Sequence, residues 1–249
     1  MRHFGSGTLL STPIQDAAGN AYAVPSPFQF GIAQDIGVDA SFDDKLLYGR
    51  NSFPVDQGRG KGKIGIKVKF ANINILPFST SFFGQSAIAG LIDTVIDEVG
   101  VVCAATVSVA PAGGATFFAN MGVRLDANGT PMIRVAAAPV AGEYTTDGAG
   151  SYTFAAADVG KTIFIDYQTT SATGGKILTL RNMAMGQSPT FRIDLAMRRN
   201  GKVLTLTFPK VTSSKLALST KQEDFLIPEL DMSAIADDAG NVWKWSASE

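Results

Sequence analysis

Apolar and polar residues alternate along two stretches of the first third of the chain. Ile36, Val38, Ala40 and Phe42 are separated by Gly37, Asp39 and Ser41, and Ile64, Ile66, Val68 and Phe70 by Gly65, Lys67 and Lys69. A period of two belongs to a strand with one face buried, so each stretch predicts a half-buried β-strand. The connection between them, Asp44 to Lys63, is far longer than the roughly 2–5 residues a hairpin needs. Long connections between matched strands usually carry a job. This one sets Leu47, Tyr48, Phe53 and Val55 among Lys45 and Arg50, with Leu46, Arg59, Lys61 and Lys63 beside them. Apolar anchors mixed with cations suit docking on another protein surface, so the segment is expected to be a long assembly loop that bridges subunits.

The last third carries the clearest pattern. Phe191, Ile193, Leu195 and Met197 alternate with Arg192, Asp194, Ala196 and Arg198; Asn200-Gly201 marks a tight turn; Leu204, Leu206 and Phe208 then alternate with Val203, Thr205 and Thr207. This predicts a hairpin. Lys215 to Ser219 and Leu226 to Ala236 predict two further strands, and the turn Asp237 to Asn241 leads to a last strand with Trp243 and Trp245. Pro77, the Phe78/Phe82 spacing and Gly84 predict one short helix over Pro77 to Phe83. From about Gln85 to Gly175 the composition shifts to Ala, Gly, Val and Thr, with short strands expected at Leu91 to Ile96, Val101 to Val109, Met132 to Ala136, Ser151 to Phe154 and Thr162 to Gln168. Turns between them suggest a small sandwich, either an insertion or a continuation of the main sheet. Residues 1–27, rich in Gly, Ser, Thr and Pro, are expected to be an N-terminal arm followed by a short hairpin. The whole is expected to be mainly β. It would be a β-sandwich or barrel over 28–90 and 176–249, with one short flanking helix, the long assembly loop, and an additional small β region over 91–175.

Composition narrows the function classes. The chain has 249 residues, 45% of them apolar, and a formal net charge of −1. It has enough apolar residues for a sizeable core and no global basic field to attract nucleic acid or a membrane. The amino terminus lacks an apolar core of signal-peptide length, so export by that route is not expected. Two uncharged spans, Phe70 to Ile92 and Val99 to Val123, are long enough to cross a bilayer by count, but Asn, Pro and Gly interrupt both. The one cysteine, Cys103, lies in an apolar run and reads as a small buried residue. With His3 as the only histidine, a Ser-His-Asp or Cys-His arrangement has no base, and histidine-containing metal sites lack a ligand. Adjacent carboxylates occur at Asp43-Asp44, Asp97-Glu98, Glu223-Asp224 and Asp237-Asp238, where strands would point them to opposite faces and turns would solvate them. Gly58 to Lys63 is rich in Gly and Lys but departs from a phosphate loop, since Ile64 and a strand follow; it reads as a mobile basic hinge at the base of the arm. Asp126 to Gly129 opens like a calcium loop without the later ligands and reads as a turn. No enzymatic activity and no cofactor are expected.

Three runs, Leu47 to Gly84, Met132 to Thr170 and Asn182 to Ser246, together resemble the tail tube (major tail) proteins of tailed bacteriophages. The elements are the glycine-rich strand opening, a short helix ending in Phe82-Phe83-Gly84, a G-x-x-P-x-F entry at Gly186 to Phe191 and K-x-E-D-F at Lys221 to Phe225. The resemblance implies a virion structural protein, made in the host cytoplasm, whose six copies form a ring. Stacked rings make a tube that conducts DNA without sequence-specific binding. It implies partners beyond the chain itself: initiator or baseplate and terminator proteins, a sheath if the tail contracts, and no membrane. An acidic lumen would repel DNA by like charge. Asp194, Glu223, Asp231 and Asp237 are the lumen-facing candidates. The alternative expectation is a capsid decoration or adhesin-like β protein with Trp243 and Trp245 as binding aromatics. A third is a hydrolase working through paired carboxylates.

Overall fold

Strand-forming sequence dominates the structure. The computed structural model describes residues 7–72, 74–125, 129–220, 222–223 and 225–248. His3, Asp126, Asn128, Lys221 and Asp224 lie outside the described residues. The chain begins with β1 (Thr8–Gln15), β2 (Phe28–Gln29), β3 (Ala33–Tyr48) and β4 (Pro54–Phe70), then a single helical turn, α1 (Ile75–Pro77), continued as a π turn over Phe78–Phe82. There follow β5 (Ile88–Val102), β6 (Thr106–Ser108), β7 (Thr116–Leu125), β8 (Thr130–Pro131), β9 (Ile133–Arg134), β10 (Glu143–Thr146), β11 (Ser151–Phe154) and β12 (Thr162–Ile177). The last elements are β13 (Thr190–Arg199), β14 (Lys202–Ala217), β15 (Glu229–Ala234) and β16 (Lys244–Ala247). They divide into two compact units, one made of the chain up to Ala87 together with the chain from Leu178, the other of Ile88–Ile177.

The first unit is one antiparallel sheet in the order β2-β1-β13-β14-β15-β4-β3, with β16 also on β14. The path ends at β2 and β3 and does not close into a barrel. Asn200 and Gly201 both take positive φ (49° and 75°), as a two-residue hairpin turn between β13 and β14 requires. β14 changes neighbour partway: Leu204 to Thr207 pair β16, and Val211 to Ala217 pair β15. Between them lies Pro209, where the β13 register also shifts, since proline has no N–H to give the ladder. The two halves of this folded sheet share one core, with Leu9, Phe191, Ile193 and Phe208 from one half and Ile66, Val68, Leu230 and Met232 from the other. Phe30 stacks on Phe70 at 5.5 Å, and Phe78 from the π turn meets both edge-on at 5.6 Å. The aromatic face of the helical segment thus closes the core.

Several sequence expectations need correction. The helix starts before Pro77, because the Asn74 carboxamide accepts from the Leu76 N–H and caps it. Part of the supposed N-terminal arm is β1, inserted between β2 and β13. Its alternation is hidden because the buried position after Leu9 is Ser11, whose hydroxyl is satisfied by Ser81 at 2.7 Å. Val101 to Val109 is not one strand. Its chain leaves β5 at Cys103, which exchanges backbone hydrogen bonds with Lys161 and Gly160, and then joins another sheet as β6. Lys215 to Ser219 is no separate strand, since β14 runs on through Ala217.

The second unit consists of two four-stranded sheets, β6-β11-β10-β9 and β5-β12-β7-β8. Both contribute to a core of Cys103, Val123, Met132, Tyr144, Tyr152, Phe154, Ile163, Ile165 and Tyr167. Burial raises the Cys103 thiol pKa and keeps it protonated. The chain enters and leaves this unit through paired strands, with Ile88 opposite Ile177.

Candidate assembly surface

The segment read as a long loop is a β-hairpin. β3 and β4 rest on the core through Ile36, Val38, Ile64, Ile66 and Val68, whereas Ala40 and Phe42, expected on the buried face of β3, are exposed because the core ends beneath Val38. Beyond that point the ladder continues with no core beneath it: Asp44 opposite Arg59, Lys45 opposite Gly58, Leu46 opposite Gln57, Leu47 opposite Asp56, and Tyr48 opposite Pro54. Only residues 49–53 form the connection. The alternation disappears because both faces of this extension meet solvent, so nothing selects a polar and an apolar side. At about 3.3 Å per residue, the eight residues from Ser41 to Tyr48 project about 25 Å from the sheet.

The glycine-rich run is the base of this arm and carries strand pairing rather than a loop. A Cβ on Gly60 would stand 2.9 Å from the Asp43 carbonyl oxygen, and one on Gly62 would stand 2.7 Å from the Phe42 ring. Glycine at these places lets β3 approach across the register shift between Phe42 and Asp44. The ring of Phe42 lies over bare Gly62 backbone while the Arg59 guanidinium covers it at 4.3 Å. An aromatic over a glycine on the neighbouring strand, with a cation beyond, steadies an otherwise bare ladder. Sequence reasoning missed Phe42 and Arg59 in this role; only their cross-strand pairing reveals it.

All six predicted contact residues, Lys45, Leu47, Tyr48, Arg50, Phe53 and Val55, lie together on this arm and are exposed. Phe53 at the tip is 81% exposed, Val55 66%, Leu47 62% and Tyr48 58%. Such exposure of large apolar side chains on one projecting element is a hallmark of an interaction site.

The four acidic candidates are scattered. Asp194 on β13 accepts two hydrogen bonds from Arg192, each 2.8 Å, and one of 2.7 Å from the Thr207 hydroxyl. Asp231 on β15 stands opposite Lys67 on one side and Lys215 on the other. Glu223 is exposed in the connection before β15. Asp237 closes its own turn, accepting from the Asn241 and Ala239 N–H groups, and these bonds lower its pKa. The outward face of β3, β4 and β15 therefore carries mixed charge, with Asp35, Asp39, Glu229 and Asp231 against Lys63, Lys67 and Lys69.

The adjacent carboxylates Asp97 and Glu98 part company. Asp97, at φ 55°, forms an ion pair with Arg124, while Glu98 turns inward. Burial and then the Glu98 carboxylate, to which the Tyr167 hydroxyl donates, push the Tyr167 pKa up to about 12. Among the described residues no helix is long and apolar enough to cross a membrane. Trp243 stacks between Phe208 and the exposed Trp245, at 5.7 and 5.6 Å. Compared with known protein families and with curated proteins, the chain matches none.

Proposed function

We propose that the chain is a virion structural protein, the subunit of a phage tail tube built from stacked hexameric rings around a DNA-conducting channel. The observation that carries the reading is the arm. It is a two-stranded projection with no core of its own, carrying large apolar side chains into solvent, and an isolated two-stranded ribbon gains its stability from a partner surface. The resemblance of Leu47 to Gly84 and Asn182 to Ser246 to tail tube proteins supplies the assembly in which such an arm works. The chain acts without enzymatic turnover, and its partners are its own copies and the proteins that start and end the tube.

A decoration or adhesin-like role is the second reading, favoured by the exposed Trp245 ring stacked on Trp243. Negative-stain microscopy of the purified full chain at high concentration, in parallel with sizing, separates the two. Stacked rings with a central channel are expected. Compact monomers or trimers that bind a preformed shell or a glycan would overturn the tube reading.

A further inference from the structure

The first unit carries an apolar recess that matches the arm tip in size. Ile75, Phe78, Phe83, Leu178, Leu216 and Leu218 line a cavity of about 130 Å³ beside the π turn. Its lining side chains are all hydrocarbon, and Ile75 and Leu218 are exposed at its rim. Gln85 holds one wall in place, bonding the backbone N–H and C=O of Arg181 through its side chain. A cavity of ~150 Å³ lined by Leu, Ile and Phe stays dry and accepts benzene, so this one is the size of a single aromatic ring. The segment Ala71 to Ala87, which supplies half of the lining, carries no charged residue, so the guest it suits is apolar.

We propose that the Phe53 ring at the arm tip of one copy fills this cavity on a second copy. This rests on the reading of the arm as an assembly element. Phe53 is 81% exposed in its own chain, so it does not occupy that chain's own recess. The exposed apolar side chains of the arm, Phe42, Leu46, Leu47, Tyr48, Phe53 and Val55, offer roughly 600 Å² spread over its two faces, so a contact on one face buries less than the ~800 Å² per partner of a standard interface and leans on the Phe53 anchor. A buried aromatic anchor in a fitted pocket, surrounded by weaker contacts, is the usual distribution of energy in such an interface. The contact joins two different patches. A pair therefore retains one free recess, on the copy whose tip is docked, and one free tip, on the other, and further copies add until a ring closes or a filament grows.

Disulfide trapping with the full chain tests this even where the contact is weak. Cys103 is buried, so introduced thiols are the reactive ones. Ser52→Cys, exposed beside the intact Phe53 ring, mixed with Leu218→Cys is expected to give a covalent dimer under mild oxidation at least ten times faster than Ser52→Cys mixed with Thr153→Cys, an exposed position on the other unit. Adding Phe53→Ala to Ser52→Cys is expected to abolish the difference. Equal rates for the two mixtures would overturn the assignment. Rings seen by microscopy without the selective cross-link would remove the recess and leave the tube reading standing. Selective cross-linking into dimers with no tubes at any concentration would do the reverse.

Discussion

Asp158 is fully buried yet charged, and its environment explains how. Its Oδ1 accepts from the Lys161 ammonium at 2.7 Å and its Oδ2 from the Gly142 N–H at 2.7 Å, tying two loops of the second unit together. The Lys161 hydrogen bond, with help from Gly142, outweighs burial and holds the carboxyl below its ordinary value of 3.8. A depressed folded-state pKa contributes stability above the unfolded value that is lost as pH falls through the lower folded value. Acidification from pH 5 to below 3.8 is therefore expected to weaken the second unit, and Asp158→Ala to remove that component of its pH dependence. The same substitution leaves the Gly142 N–H without its acceptor, and is expected to cost about 2–3 kcal/mol at neutral pH. Both tryptophans belong to the first unit, while Tyr144, Tyr152 and Tyr167 belong to the second. Thermal melts followed by tyrosine near-UV signal should shift with Asp158→Ala, and tryptophan fluorescence should not. Gly84 is the matching case in the first unit. It sits at φ 60°, and a Cβ there would stand 2.4 Å from the Ala17 nitrogen. Gly84→Ala combines strain with a backbone clash, so a loss of about 3 kcal/mol in the tryptophan-detected transition is expected, against the few tenths of a typical surface change.

At the scale of elements, the arm can be removed without touching the core. The buried cluster takes nothing from β3 beyond Val38, nor from β4 before Ile64. Replacing Leu46 to Val55 by Asn-Gly should therefore leave the tryptophan-detected melting temperature within about 3 °C of the parent while abolishing higher assembly in sizing. Unchanged assembly would sink the role given to the arm. The same element shows where sequence pattern stops being informative. The β13–β14 hairpin was legible because one face is buried along β13 and much of β14, and Asn200-Gly201 names its turn. Composition alone singled out the exposed apolar and basic side chains of the arm. Its strand pairing left no period, because both faces are wet and Gly58, Gly60 and Gly62 imitate a loop. β1 escaped notice for the opposite reason: a serine occupies a fully buried position, and its partner Ser81 lies seventy residues away. The recess beside the π turn had no local signal at all, since its lining comes from three separate parts of the chain.

At the scale of the molecule, the two units are joined in a way that makes them separable. The second unit begins and ends with residues that face each other across one ladder, Ile88 opposite Ile177. Directly paired residues of antiparallel strands have Cα atoms about 4.5–5.5 Å apart, a gap that a two-residue turn closes. Each unit also has its own buried cluster, drawn wholly from its own residues. Independent cores with adjacent entry and exit points are the conditions under which domain insertion and excision succeed. A chain in which Asn-Gly links Ala87 to Leu178 should fold, with the parent's tryptophan emission and a single cooperative melt. The isolated segment 88–177 should likewise show a cooperative tyrosine-detected transition. If the arm and the recess carry assembly, both lie in the unit that remains, so the shortened chain should also assemble. Loss of the tryptophan transition in the shortened chain would mean that the first unit depends on the second for stability. A folded but non-assembling chain would place a necessary contact in residues 88–177, and cross-linking from Ser52→Cys would then be directed at that unit.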